Sequence, residues 1–172
     1  MNEALQFMGV PYSIKAVKIS NASYPTVGEF LALQLTDLRT SMPVSLADVG
    51  YGISQLLPIV TEAMVRHGGP LLVEQPELHL HPRLQGSLAE LLARASQDRQ
   101  IIAETHSESM ILRLQKLIRL SKLDPDHLSV IYVGSDDRSG SGSWVEHIRF
   151  GESGEMLQEW PDGFFEERLE DY

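Results

Sequence analysis

The sequence predicts an α/β protein in which helices wrap a mainly parallel sheet and an antiparallel β element comes first. Short apolar stretches alternate with amphipathic helical stretches through the middle of the chain, which is the pattern of successive strand, helix and strand units. Near the N-terminus, two stretches instead alternate apolar and polar residues, as half-buried antiparallel strands do. With 172 residues, 42% of them hydrophobic, the chain is long enough to bury a core.

Each predicted element follows from a local pattern. Residues 13–20 and 29–37 form the alternating pair. Pro82 opens a helix, because its fixed φ and missing N–H suit a first helical turn. After the pair, the predicted elements are a helix over 54–67, a strand over 71–74, a helix over 82–96, a strand over 101–104, a helix over 107–120, and strands over 128–133 and 144–150 on either side of a Gly/Ser-rich turn. The apolar stripes of the three helices are Leu56, Leu57, Val60, Ala63 and Met64, then Leu84, Leu88, Leu91, Leu92 and Ala95, then Ile111, Leu114, Leu117 and Ile118.

Composition excludes several classes of protein. Cysteine is absent, which excludes disulfides and thiolate metal sites. No stretch of about 18 apolar residues is present, so the sequence predicts no membrane span, and the N-terminus lacks the layout of a signal peptide. The expected location is therefore the cytoplasm.

The charge of the chain is strongly negative. A net charge of −10 argues against broad binding of a phosphate backbone through this piece, since such binding uses clustered Lys and Arg. Residues 152–172 alone hold eight carboxylates against one base, Arg168. This segment is either a solvated tail or a docking segment, for which Trp160, Phe164 and Phe165 would supply anchors.

The stretch LLVEQPELHLHP, residues 71–82, runs an apolar strand directly into Glu74, Pro76 and Glu77. Such a strand end has the form of a Walker B motif. It delivers an acidic side chain to the carboxyl edge of an open α/β sheet, where phosphates and Mg²⁺ collect, and the acid holds the metal or its water. An ordinary buried strand followed by a loop is the alternative.

Two further pieces accompany this strand. Gly50 and Gly52 precede a helical run, so that backbone N–H groups can face an anion, and QIIAETHSES ends another short strand in Glu104, Thr105 and His106. In this order and at these spacings, the pieces resemble the signature, Walker B and switch-histidine elements of ATP-binding-cassette-type ATPases. Within these, the chain resembles the branch that includes the SMC (structural maintenance of chromosomes) and OLD (overcoming lysogenisation defect) families.

The resemblance covers residues 44–172. EQPELHLHP, together with WPDGFFEERLED near the end, is similar to predicted bacterial AAA-type ATPases that carry a C-terminal domain of unknown function. The resemblance implies ATP and Mg²⁺ as cofactors, with the nucleotide sandwiched between two heads of a homodimer. Binding of ATP would bring the heads together, and hydrolysis would release them.

The resemblance also assigns roles at the Walker B strand. Glu74 stands where the family places the acid that assists Mg²⁺, and Gln75 stands where a second acid polarises the attacking water. An amide cannot act as a general base, although it can orient a water molecule. Glu77 is the nearest carboxylate that could take over, and His106 matches the histidine that contacts the γ-phosphate. Binding of nucleotide is therefore better supported than hydrolysis.

The signature segment differs from the usual form. If Gly52 takes the place of the central glycine, the usual serine position falls on Gly50, and a hydroxyl could come from Ser54 or Ser45. We expect Gly50, Gly52, Ser54 and Gln55 to contact nucleotide. A glycine-rich turn before a core helix is the alternative.

No Walker A motif, G-x-x-x-x-G-K-[ST], occurs in the sequence. The resemblance therefore implies the C-terminal lobe of an ATPase head that depends on a Walker A-containing lobe or chain. The expected divisions are a β-subdomain remnant over 1–43, the ATPase lobe over 44–150 and an acidic aromatic extension over 151–172. Relatives suggest a task in DNA maintenance or defence, with nucleic acid contacted by the full assembly but not by this acidic piece.

Two other classes of function stay open. The first is a non-catalytic regulatory or interaction module, in which Gln75 and the missing Walker A motif reflect a lost activity. The second is a metal-dependent hydrolase that uses Glu77, His79 and His81, because an HxH pair beside a glutamate is a pattern seen in zinc sites. As an ATP hydrolase, the chain is expected to act only in combination with a Walker A lobe.

Overall fold

Helices and strands alternate along the chain in a computed structural model that describes residues 1–19, 30–65, 69–136 and 142–161. The helices are α1 (Asn2–Phe7), α2 (Tyr51–Met64), α3 (Pro82–Ala95) and α4 (Glu108–Arg119). The strands are β1 (Tyr12–Ile19), β2 (Phe30–Asp37), β3 (Met42–Val44), β4 (Leu71–Glu74), β5 (Ile101–Glu104), β6 (Val130–Asp136) and β7 (Gly142–Ile148). The chain divides into two units, Met1–Ser107 and Glu108–Tyr172.

The first unit begins with a three-stranded antiparallel sheet in the order β1-β2-β3. β1 and β2 pair along their whole length, from Tyr12 opposite Asp37 to Ile19 opposite Phe30. This confirms the predicted antiparallel element, whose outermost residues, 20 and 29, lie outside the described part of the chain. Helix α1 buries Leu5 against this element, and neither α1 nor β3 was predicted, because both are too short to show a period.

The rest of the first unit is the α2-β4-α3-β5 segment. β4 and β5 pair in parallel, with Leu71 opposite Ile101 and Glu74 opposite Glu104, and both strands have their predicted bounds. Helix α3 begins at Pro82 as predicted, with His81 as its N-cap. Leu56, Leu88 and Val60 are fully buried and form the centre of the core.

Helix α2 begins three residues before the predicted start. Gly50 is its N-cap, with φ 82°, so the turn that precedes the helix lies at Gly50, and Gly52 is already helical. At the other end, the Arg99 guanidinium donates to the carbonyls of Glu62 and Val65, which satisfies the last turn. Residues 66–68, which the prediction assigned partly to this helix, lie outside the described part of the chain.

The second unit packs α4 against one face of the β6–β7 hairpin. Its core consists of Ile111, Ile118, Ile148 and Phe150, and Trp160 packs against it. The hairpin is antiparallel, from Val130 opposite Ile148 to Asp136 opposite Gly142. Trp160 thus anchors the start of the acidic segment, whereas Phe164 and Phe165 lie outside the described residues.

The predicted α/β class is confirmed, with a parallel pair of strands in the first unit and antiparallel strands at the N-terminus. In the described residues the parallel sheet consists of β4 and β5, and β6 and β7 pair with each other. The divisions at residues 43 and 150 stay predictions. Over the four described ranges, none of the helices has the length and apolarity that a membrane crossing requires.

Candidate functional site

The carboxyl ends of β4 and β5 bring two carboxylates side by side. Glu74 and Glu104 are register partners, and the Gln75 N–H donates to the Glu104 carbonyl at 2.8 Å, so the ladder continues to the strand ends. Register partners in a sheet point to the same face, and both of these side chains are exposed. The sequence predicted Glu74 at this edge, and the parallel register adds Glu104 next to it.

The chain turns sharply after β4. Gln75 has φ 44° and His79 has φ 59°, both in the left-handed region that non-glycine residues rarely adopt. Such conformations persist only where surrounding contacts fix them, and they cluster at functional sites. Gln75 is half-buried and lies directly beside the pair of strand ends.

Glu77 points inward. It is 7% exposed, and its Oε1 accepts a hydrogen bond from the His106 backbone N–H at 2.7 Å. Its Oε2 is buried and has no hydrogen-bond partner within the described ranges. One carboxylate oxygen of Glu77 is thus already hydrogen-bonded within the chain. The role of Glu77 as the general base in place of Gln75 stays a prediction.

Gln85 connects the two loops at the strand ends. Its Nε2 donates to the Leu80 carbonyl at 2.9 Å, and its Oε1 accepts from the Ser107 hydroxyl at 2.6 Å. Sequence reasoning missed Gln85 and Ser107. A signal was available, because Gln85 is a polar residue three positions before the buried Leu88, and a polar side chain at core spacing indicates a buried hydrogen bond.

His106 keeps an exposed side chain on a fixed backbone. Its N–H is held by Glu77, and the following N–H of Ser107 donates to the Thr105 hydroxyl at 3.0 Å. His106 thus lies on the loop that leaves the carboxyl end of β5, two residues after Glu104. Its predicted contact with phosphate stays a prediction.

The start of α2 holds the four residues predicted to contact nucleotide. Around Gly50 an added Cβ would meet nothing within 4 Å, and among the described residues no side chain caps the start of the helix. A Cβ on Gly52 would lie 2.4 Å from the His79 carbonyl oxygen, so Gly52 allows close packing on the loop after β4. Ser54 Oγ donates weakly to the Leu46 carbonyl at 3.4 Å, and Gln55 Oε1 is buried with no partner in the residues described.

The two histidines of the HxH pair have separate partners. The His79 ring meets the Tyr51 ring edge to face at a centroid distance of 5.2 Å, whereas His81 Nδ1 accepts from the Arg83 N–H at 3.2 Å and caps α3. Throughout the described residues, no group of three His, Asp or Glu side chains is arranged to hold a metal ion. The zinc hydrolase alternative therefore gains no support from this geometry.

Comparisons with known proteins relate the chain to ATPase domains. Residues 6–111 match the sequence model of the AAA ATPase domain family. The chain is 28% identical to the OLD nuclease of Thermus scotoductus over 157 residues, which are 87% of this chain and 30% of that protein. A crystal structure of an SMC head bound to the C-winged-helix domain of ScpA has a TM-score of 0.58 with 16% identity, over 86% of this chain and 40% of that one.

The structural likeness shows a shared fold, and the predicted resemblance to ATPases of the SMC and OLD type is confirmed. This chain spans only 30% of the OLD nuclease and 40% of the SMC head chain. Because the family model matches more than half of its residues, the chain belongs to the AAA ATPase domain family.

Proposed function

We propose that this chain is one lobe of an ATP-binding head of the SMC and OLD type, and that it supplies signature, Walker B and switch-histidine elements. The observation that carries the proposal is the pair of exposed carboxylates, Glu74 and Glu104, at the carboxyl ends of two parallel strands. Ligands of open α/β sheets bind at this edge.

The two carboxylates suit Mg²⁺. This ion is usually bound by one or two carboxylates together with phosphate oxygens and water, so it needs no cage of three or more protein ligands. Glu74 would hold the ion or its water, and Glu104 lies beside it in register. When bound, Mg²⁺ would neutralise charge on the phosphates of ATP.

The start of α2 suits a phosphate. Open backbone N–H groups and the positive end of the helix dipole both favour an anion there. Gly50 has a positive φ and open space around it, so a ligand can approach the backbone. In a paired head this end would close on the nucleotide held by the opposite head, as in the family that the sequence resembles.

A second lobe is needed to complete the nucleotide site. The sequence has no loop of the Walker A type to wrap the phosphates. One face of the β4–β5 pair also presents Leu72 and Ile102, which are 69% and 50% exposed. We propose that a Walker A-containing lobe covers this face.

Nucleic acid is a proposed partner of the full assembly in the cytoplasm. The matched relative is an OLD nuclease, of which this chain corresponds to 30%. The net charge of −10 argues against contact with a phosphate backbone through this chain and supports contact through other parts of the assembly.

A non-catalytic module is the second candidate. Gln75 offers no carboxylate at the position of the base, and one oxygen of Glu77 is already held by His106. A head built on these residues would bind Mg·ATP without turning it over.

Reconstitution tests the proposal. The purified chain should show neither tight binding of Mg·ATP nor turnover, and adding a Walker A-containing lobe should create binding. In the reconstituted head, Glu74→Ala should abolish Mg²⁺-dependent binding, whereas Glu62→Ala, which removes an exposed carboxylate from α2, should not. Steady turnover by the chain alone, lost on Glu74→Ala, would show that the dependence on a second lobe is wrong. Binding without turnover would favour the non-catalytic module.

A further inference from the structure

The junction between the loop after β4 and the loop after β5 is closed by side chains. We propose that Glu77 and Gln85 are positioning residues that fix the backbone of His106 at the carboxyl edge of the sheet. The role of His106 itself rests on the proposed function, but the positioning is a property of this chain alone.

Glu77 contacts the backbone of His106. The bond from the His106 N–H to Glu77 Oε1 is 2.7 Å long, which is short for an N–H donor and typical of a charged acceptor. Glu77 is 7% exposed, so water competes little for this bond. The two residues are 29 positions apart, and the bond therefore ties two separate loops together.

Gln85 holds both loops to α3. Its Nε2 donates to the carbonyls of Leu80 and Glu77, at 2.9 Å and 3.4 Å, on the loop after β4. Its Oε1 accepts from the Ser107 hydroxyl on the loop after β5. Ser107 is 5% exposed, so this contact is also shielded from water.

These contacts together fix the backbone of His106. Its backbone is held on one side by Glu77 and on the other by the buried Ser107, while its side chain stays exposed. Only the χ angles of the imidazole then remain to be fixed when a ligand binds. Orienting the His106 side chain towards a ligand then costs less conformational entropy, because its backbone is already fixed. Supporting hydrogen bonds assist binding and catalytic sites in this way.

Glu77 therefore acts through His106 rather than as a base. A base needs a carboxylate, so an amide at position 77 would be as inactive as alanine. A positioning residue needs an acceptor oxygen of the same shape, which glutamine retains. Glu77 Oε2 has no partner within the described residues. In Glu77→Gln the amide nitrogen can take the place of this unpaired oxygen, and the buried negative charge is removed.

Amide hydrogen exchange of the 172-residue chain, followed by NMR, tests the positioning without ATP. In the unaltered chain the His106 amide should resonate downfield and exchange slowly. Glu77→Ala should accelerate its exchange on the order of tenfold or more, and Glu77→Gln should restore part of the protection. Gln85→Ala should accelerate exchange at His106 and also at Leu80, whose N–H donates to the same Glu77 carbonyl that Gln85 contacts. Glu62→Ala is the matched control, since it removes an exposed glutamate of α2 and should change neither amide.

Slow exchange at His106 in folded Glu77→Ala would overturn the proposal. If that variant does not fold, Glu77→Gln tests the proposal instead. The resonance of its His106 amide must then shift upfield while its other amide resonances keep their positions.

ATPase kinetics of the reconstituted head then distinguish a positioning role of Glu77 from a role as general base. Positioning predicts that Glu77→Gln keeps kcat within a few-fold and that Glu77→Ala lowers kcat more than it changes KM. Equal loss in both variants would make Glu77 a base and overturn positioning.

Failure of the proposed function gives a different result. If the exchange pattern appears as expected and the reconstituted head binds no ATP, the positioning of His106 stands and the ATPase assignment falls.

Discussion

The strand ends and the loop junction behind them use the same residue type in opposite ways. Glu74 and Glu104 are exposed at the ends of β4 and β5, whereas Glu77, three residues after Glu74, is buried and accepts from a backbone N–H. An exposed carboxylate keeps its oxygens for a ligand, and a buried one must be paired within the chain. The carboxylates at the strand ends are therefore open to a ligand, whereas the buried one holds two loops together.

The two glycines at the start of α2 also differ in whether their surroundings are open or filled by the protein. Gly50 has a backbone that favours glycine and has open space around it, so its absent side chain leaves room for a ligand. Gly52 faces the His79 carbonyl, and its absent side chain leaves room for the protein itself. A substitution at Gly52 therefore disturbs the packing of α2 on the loop after β4 first, and any effect on nucleotide binding is secondary to that.

The largest expected effect is on ATP turnover and tests the carboxyl ends of β4 and β5. In the reconstituted head, Gln75→Glu should raise a low turnover on the order of 10²-fold, because it supplies a carboxylate as general base beside the strand ends. ATP hydrolysis under saturating Mg·ATP measures it. Gln97→Glu, which adds the same charge at an exposed position outside the site, is the control. An unchanged rate in Gln75→Glu would mean that position 75 does not face the attacking water.

The next effect is on stability and tests how closely α2 packs on the loop after β4. Gly52→Ala gains about 1 kcal/mol of helix propensity, but its Cβ meets a backbone oxygen at 2.4 Å. We expect a net loss of about 1–3 kcal/mol in the free energy of unfolding, as for other overpacked sites. Gly69→Ala, where nothing lies within 4 Å of the added Cβ, should change stability by less than about 0.5 kcal/mol. Urea denaturation compares the two, and equal stability would mean that α2 can move away from the loop.

The smallest effect lies outside both regions. Hydrogen bonds from the Arg39 side chain and then from the Arg39 N–H lower the pKa of Asp37 from 3.8 to about 2. Because the folded pKa lies below the ordinary value, the stabilisation is complete above pH 3.8 and is lost as the pH falls towards 2. Arg39 is largely exposed, so solvent screening keeps the effect small.

Urea denaturation between neutral pH and about pH 2 measures this dependence. Asp37→Asn should flatten the loss of stability over that window, while leaving the strand ends and the loop junction unchanged. A pH profile identical to that of the unaltered chain would show that the Asp37–Arg39 pair does not contribute.

Much of the fold could be predicted because its signals are local. β4 and β5 have their predicted bounds, since each is a short apolar run closed by a polar residue. Helix α3 starts at Pro82 as predicted and ends one residue early, at Ala95. The start of α2 was placed three residues late, because a glycine at a helix start resembles a turn until the chain that packs against it is known.

The sequence by itself determined the order of the glycine, Glu74 and His106 segments, the glutamine at position 75 and the absence of a Walker A motif, because each is a matter of residue type and spacing along the chain. Only the tertiary structure decided that Glu77 is buried, that Gln85 joins two loops and that Gly52 packs on His79. The contacts of Glu77 with His106 and of Gln85 with Ser107 join residues 29 and 22 positions apart. Helical and strand periods report which face a residue occupies, whereas the partner on that face is set by how the elements pack.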